Sequence, residues 1–97
     1  MTVHWTETAL ADLKAIEAYI AERSQQRARS LVERVFERSG TLASFPQLGP
    51  AVPEYEDEAI REVFENPYRI IYRIEGNQID IVAVIHAARK LPKLPPN

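Results

Sequence analysis

Five side chains in the last third of the chain, Arg69, Arg73, His86, Arg89 and Lys90, are the ones whose chemistry could act on a partner. Guanidinium and ammonium groups can hold a scissile phosphate and offset the charge that builds on it. An imidazole beside them can move a proton as acid or base. A plainer reading stands next to this one. Arg73 paired with Asp80 across two strands, and with Glu62 diagonally, is a surface ion network of small energetic weight, and His86 can do no more than finish a strand. Other chemistries are excluded by what is missing. Cysteine is absent, so disulfides and thiolate metal sites are impossible. His4 and His86 are the only imidazoles and share no metal-ligand spacing, so no metal is expected. No serine sits in a nucleophile's context, and three widely spaced glycines make no phosphate loop. The sequence calls for no cofactor.

A β-hairpin must position these side chains. Gly76-Asn77, flanked by alternating apolar residues, reads as a two-residue turn. That turn fixes a register in which Ile74 faces Ile79, Tyr72 faces Ile81, Ile70 faces Ala83 and Tyr68 faces Ile85. These pairs are apolar, so their face is expected against the core. The opposite face pairs Arg73 with Asp80, Ile71 with Val82 and Arg69 with Val84, with His86 at the strand end. Cations among exposed aliphatics suit neither a core nor an ordinary wet surface. A binding surface is therefore expected there, made of Arg69, Ile71, Arg73, Val82, Val84, His86, Arg89 and Lys90. If the site cleaves RNA, Arg69, His86 and Arg89 are its catalytic candidates. Arg61, one strand earlier, is expected to turn toward the helices and pair with Asp12 or Glu17.

The elements before the hairpin follow from periodicity. Thr2 to Trp5 alternates as a short strand. Thr6 or Thr8 can cap a helix in which Ala9, Leu13, Ile16 and Ile20 recur on one stripe, with Leu10 beside it, ending near Arg23 or Ser24. A second helix is predicted from about Gln26 to Ser44, with Ala28, Leu31, Val32, Val35, Phe36, Leu42 and Ala43 inward. The very short link between the two makes an antiparallel helix hairpin. Phe45-Pro46-Gln47-Leu48-Gly49-Pro50 ends it, because proline cannot continue a helix. An acidic loop follows, then a strand from Ile60 to Glu65, a turn at Asn66-Pro67, and the β-hairpin. The order strand, helix, helix, strand, strand, strand describes an α+β fold of two layers, the helix hairpin on an antiparallel sheet. Residues 1–91 form one domain, and residues 92–97, with Pro92, Pro95 and Pro96, form an extended or mobile tail.

Ninety-seven residues, 45% hydrophobic and 27% charged, suit a single globular domain with one modest core. The first residues open straight into a charged amphipathic segment with no apolar signal core and no membrane span, as expected of a cytoplasmic protein. A net charge of −2 argues against tight nonspecific binding of RNA or DNA. The charge is unevenly spread. Glu54, Glu56, Asp57, Glu58, Glu62 and Glu65 crowd the middle, whereas nothing acidic follows Asp80 and Arg89, Lys90 and Lys93 make the end positive.

The ordered set Ala9-x-x-Asp12-Leu13-x-x-Ile16, Tyr19-Ile20, Phe45-Pro46-x-x-Gly49, Arg61-Glu62, Pro67-Tyr68-Arg69-x-x-Tyr72 and His86 to Arg89 resembles the ParE/RelE superfamily, the toxins of type II toxin–antitoxin modules. The resemblance spans nearly the whole chain and implies the same helix hairpin on a sheet. It also implies a cognate antitoxin as partner, which would lay an amphipathic helix or an added strand on Ile71, Val82 and Val84. The RelE-like branch implies a ribosome-dependent endoribonuclease acting on mRNA, and Arg69 and Arg89 match two of its functional arginines. Where that branch places lysines, however, Ile60 and Glu62 stand here, and a glutamate repels phosphate. The ParE-like branch implies poisoning of DNA gyrase without catalysis, and the His-x-x-Arg ending and proline-broken loop look closer to it.

Overall fold

A computed structural model describes residues 1–94. Strand β1 (Thr2–Trp5) leads into helix α1 (Glu7–Ala21) and helix α2 (Gln25–Thr41). Of the two threonines able to cap α1, Thr6 does so: its Oγ1 accepts the Ala9 amide at 3.1 Å and donates to the Ile81 carbonyl at 2.8 Å. One hydroxyl thus starts the helix and ties it to the sheet. Ser24 caps α2 by accepting from the Arg27 amide at 3.1 Å. Both helices stop sooner than their apolar periodicity suggests. α2 ends at Thr41, just past Gly40, where helix propensity falls by about 1 kcal/mol relative to alanine. Phe36 is not inward either: it is 43% exposed and lies tilted against Trp5, their ring centroids 4.9 Å apart.

Strands β2 (Ile60–Glu65), β3 (Tyr68–Glu75) and β4 (Gln78–His86) follow a short 3₁₀ turn at Pro53–Tyr55. The sheet has four strands in the order β1-β4-β3-β2. β2, β3 and β4 run antiparallel, while β1 joins β4 in parallel, so the sheet is mixed. Gly76 turns the hairpin at φ +57°, a conformation glycine adopts without a Cβ penalty. The register read from that turn holds through Tyr72 opposite Ile81. It then slips by one residue, because a bulge gives Val82 no partner of its own: Ile71 faces Ala83, Ile70 faces Val84, Arg69 faces Ile85 and Tyr68 faces His86. This overturns the expected facing of everything beyond the bulge. Val84 turns to the helices and Ile85 turns away, while Val82 and Ala83 both point outward.

Two apolar clusters result, one on each face of the sheet. Toward the helices, Ala9, Leu13, Leu31, Val35 and Leu42 meet Ile70, Tyr72, Ile79, Ile81 and Val84. Fully burying a side chain of the larger kinds here is worth about 1.5–3 kcal/mol over leaving it exposed. On the outer face, Val52, Ile60, Ile71, Val82 and Ala83 form a second cluster, covered by Tyr55, Ile85, Leu91 and Leu94 of the same chain. The aliphatics expected to be exposed are therefore buried, Ile71 at 0% and Val82 at 8% exposure. The tail expected over residues 92–97 begins as part of this cover, and Pro95 and Pro96 lie outside the described residues. Among the described residues no helix is long and apolar enough to cross a membrane.

Candidate functional site

Arg69 sits on the outer face of β3 with 9% of its surface exposed. Its Nε donates to Glu62 on β2, a carboxylate that is itself buried. Its Nη1 and Nη2 reach the two oxygens of Glu54 at 3.1 and 3.2 Å, a bidentate clasp. The hydrogen bonds that it donates to Glu62 and, next in effect, to Glu54 hold the guanidinium charged far above any accessible pH. The same bonds pull the Glu54 carboxyl below its usual range. Two carboxylates around one guanidinium leave the cluster with net negative charge. A phosphate arriving there would meet repulsion before it met Arg69.

Arg61 does not pair with Asp12 or Glu17. Its Nη1 donates to the Gly49 carbonyl at 2.7 Å, across the β2 edge. Tyr72, fully buried, holds the same loop from beneath: its Oη donates to the Pro46 carbonyl at 2.8 Å and accepts the Gly49 amide at 3.1 Å. Gly49 presses so close to β2 that a Cβ would fall 2.0 Å from the Glu62 carbonyl oxygen. Phe45-Pro46-x-x-Gly49, Arg61 and Tyr72 are thus one fastening between loop and sheet. Asp12, for its part, accepts the Val84 amide at 3.0 Å just past the bulge. Burial raises its pKa, and the Val84 bond opposes that shift.

At the far end of the sheet the chain folds back through Ala87, Ala88 and Arg89, whose amides bond to Pro67 O, His86 Nδ1 and His86 O at 2.9, 3.0 and 2.9 Å. An Nδ1 that accepts an amide is unprotonated, which places the neutral ring's proton on Nε2. The imidazole stands edge-on to Tyr68 with ring centroids 5.6 Å apart. The sequence profile of the ParE toxin of the type II toxin–antitoxin system parDE matches residues 3–91. The chain belongs to the ParE toxin family.

A relative from Caulobacter vibrioides, named toxin RelE2, is 36% identical over 88 residues, covering 90% of this chain and 96% of its own. A solved structure of the chromosomal ParDE toxin–antitoxin system from P. aeruginosa is similar at a TM-score of 0.73 and 27% identity, over 89% of this chain and 95% of the other. A ParE-family toxin of a type II module implies a cognate antitoxin as partner.

Of the residues singled out from the sequence of this ParE-family toxin, the fold separates rather than gathers them. Arg69, Ile71, Arg73 and Val82 share the outer face but are buried. Val84 lies on the helix side at 3% exposure. His86, the last residue of β4, and Arg89 and Lys90 beyond it are exposed. What the sequence did not disclose is Glu54, which neutralises Arg69 from 15 residues away, and the covering role of Tyr55, Leu91 and Leu94. The one available signal was the acidic run facing a basic end. Among the described residues no group of three or more His, Asp or Glu side chains is placed to hold a metal ion.

Proposed function

We propose that this ParE-family toxin acts by binding DNA gyrase in the cytoplasm and stopping supercoiling without cleaving anything, until a cognate antitoxin neutralises it. The observation that carries this reading is the state of Arg69. A nuclease on this sheet needs its arginine open to the scissile phosphate. Here the guanidinium is buried and clasped by Glu62 and Glu54. Breaking that clasp to admit an anion leaves a buried carboxylate without its partner, which costs several kcal/mol before any chemistry begins. The groups that remain accessible, His86, Arg89 and Lys90, suit contacts with an acidic protein surface and do not assemble a catalytic centre.

The name of the Caulobacter relative supports a second reading, ribosome-dependent mRNA cleavage. One paired experiment separates the two. Purified toxin is added to gyrase with relaxed plasmid, and in parallel to translating ribosomes carrying a defined message. The expected outcome is loss of supercoiling with the message intact. Cleaved codons beside normal supercoiling would transfer the function to the RelE-like reading and end this one.

A further inference from the structure

The two edges of the sheet are finished differently. β2, at one edge, is covered by its own chain: the Val52 amide donates to the Ile60 carbonyl at 2.9 Å and the Glu62 amide to the Pro50 carbonyl at 3.1 Å. β1, at the other edge, has no such cover among the described residues. The Thr2 and Thr6 amides bond toward β4, to the Asn77 carbonyl at 3.3 Å and the Ile81 carbonyl at 3.1 Å. Successive residues of a strand direct their backbone groups to opposite sides, so the N–H and C=O of Val3 and Trp5 point away from the sheet. Among the described residues nothing bonds to them. Sheets commonly keep other chains off an edge with a lysine, a proline or a bulge. β1, Thr-Val-His-Trp, has none of these. Beside it stands Phe36, the exposed aromatic that leans on Trp5.

We propose that β1 is the contact through which two copies of this toxin associate, strand against antiparallel strand about a two-fold axis, joining two sheets into one. The edge is complementary to itself. Its outward-facing residues are two apart, so an axis through His4 sets Val3 of each copy opposite Trp5 of the other. Every outward N–H then meets an outward C=O. An axis at Val3 would set Trp5 against Met1, and an axis at Trp5 would set Val3 against Glu7, both outside the strand. The residue types agree with the His4 register. Val3 and Trp5 both turn toward the helices, and a β-branched residue opposite an aromatic is a favourable cross-strand pair. Phe36 lies against Trp5 and extends that apolar contact across the axis. On the outer face the two His4 side chains meet, each beside its own Asp80 at 3.3 Å. A junction of four-residue strands buries little area, so the association is weak and depends on concentration. It holds whichever target the toxin has, and it leaves the clasp around Arg69 untouched.

The test uses the full-length toxin, which has no cysteine, with one thiol added at a time. An axis at His4 brings the two Cα atoms of residue 4 to about 4.5 Å, within the span of a disulfide. The two Cα atoms of residue 2 would lie about 13 Å apart along the strands, too far to bridge. Under mild oxidation His4→Cys should therefore form covalent dimer at least about tenfold faster than Thr2→Cys, both positions being exposed. Adding Phe36→Glu places like charges on the two sides of the axis and should slow the His4→Cys cross-link at least about tenfold. Circular dichroism confirms that each variant is folded. A second measurement needs no thiol. Sedimentation equilibrium of the wild type from roughly 0.02 to 0.5 mM should show the mean mass climbing from one chain toward two, while Phe36→Glu stays at one. Equal cross-linking at positions 2 and 4, a cross-link unmoved by Phe36→Glu, or a mass of one chain throughout would each overturn the proposal, even where an antitoxin segment proves to occupy this edge instead.

Discussion

Replacing Arg69 with methionine isolates the element on which the functional reading depends. Methionine keeps most of the aliphatic volume and removes the charge. Glu62, whose side chain is 8% exposed, is then left as a buried carboxylate without its partner. Stranding a buried charge in this way costs about 3–5 kcal/mol, against a total stability of about 5–15 kcal/mol for a domain of this size. With a urea dependence of about 1.5–2 kcal/mol/M, the unfolding midpoint should fall by about 2 M. Glu54 adds little to the loss, because half of its side chain already meets water. The decisive comparison is the double variant Arg69→Met/Glu62→Leu, which removes both charges. It is expected within about 1 kcal/mol of the wild type, since apolar replacement of a buried pair is often neutral or stabilising. The assay is equilibrium urea unfolding followed through Trp5, the only tryptophan. A single variant that loses under about 1 kcal/mol, or a double variant no better than the single, would refute the account of a buried clasp. If the double variant still inhibits gyrase, Arg69 serves the fold; an arginine needed for phosphate chemistry could not be rescued this way.

Other consequences follow from the same contacts. Gly49→Ala forces its new methyl against the Glu62 backbone and should destabilise by at least about 2 kcal/mol in thermal unfolding, the upper range for overpacking. Tyr72→Phe deletes the hydroxyl that serves both Pro46 and Gly49 and should cost about 1–3 kcal/mol, read from denaturant midpoints, because their buried partners are left unmet. The Glu54 carboxyl, depressed by Arg69, contributes stability that is present above its unfolded pKa and lost as pH falls through its lower folded value. The protection of the amides in residues 54–58 against exchange, taken relative to their intrinsic rates at each pH, should therefore fall below about pH 4, and Glu54→Gln should abolish that step. Asp12 has the opposite sign: burial raises its pKa, so its protonation favours the fold, and Asp12→Asn should flatten a gain in stability seen on mild acidification.

The inner layer was legible in the sequence because its periodicities agree with one another. Ala9, Leu13, Leu31 and Val35 recur at helical spacing, and Ile70 and Tyr72 alternate with Arg69, Ile71 and Arg73, so both partners of the core announce themselves. Legibility stopped at Ile81. From Ile81 to Ile85 the residues are apolar throughout, Ile-Val-Ala-Val-Ile, so no alternation marks where an extra residue enters the strand, and the bulge at Val82 reversed the faces beyond it. The outer face misled for a different reason. A strand with apolar residues on both sides is either a docking surface or covered by its own chain. The cover comes from Tyr55, Leu91 and Leu94, far from the strand in sequence and without periodicity. Arg61 failed likewise, because its acceptor is a backbone carbonyl at Gly49, and carbonyls leave no trace in residue types.

The parallel seam between the first and last strands has a consequence for when this toxin comes into being. Thr2 pairs with Gln78 and Trp5 with Ile81, so the opening segment has no strand neighbour until synthesis has passed residue 81. Contacts this distant along the chain form late and slowly. Until then a nascent chain carries its helices without the seam that completes the sheet, and the toxin's full fold does not yet exist. Any antitoxin already made in the cell has that interval in which to be waiting.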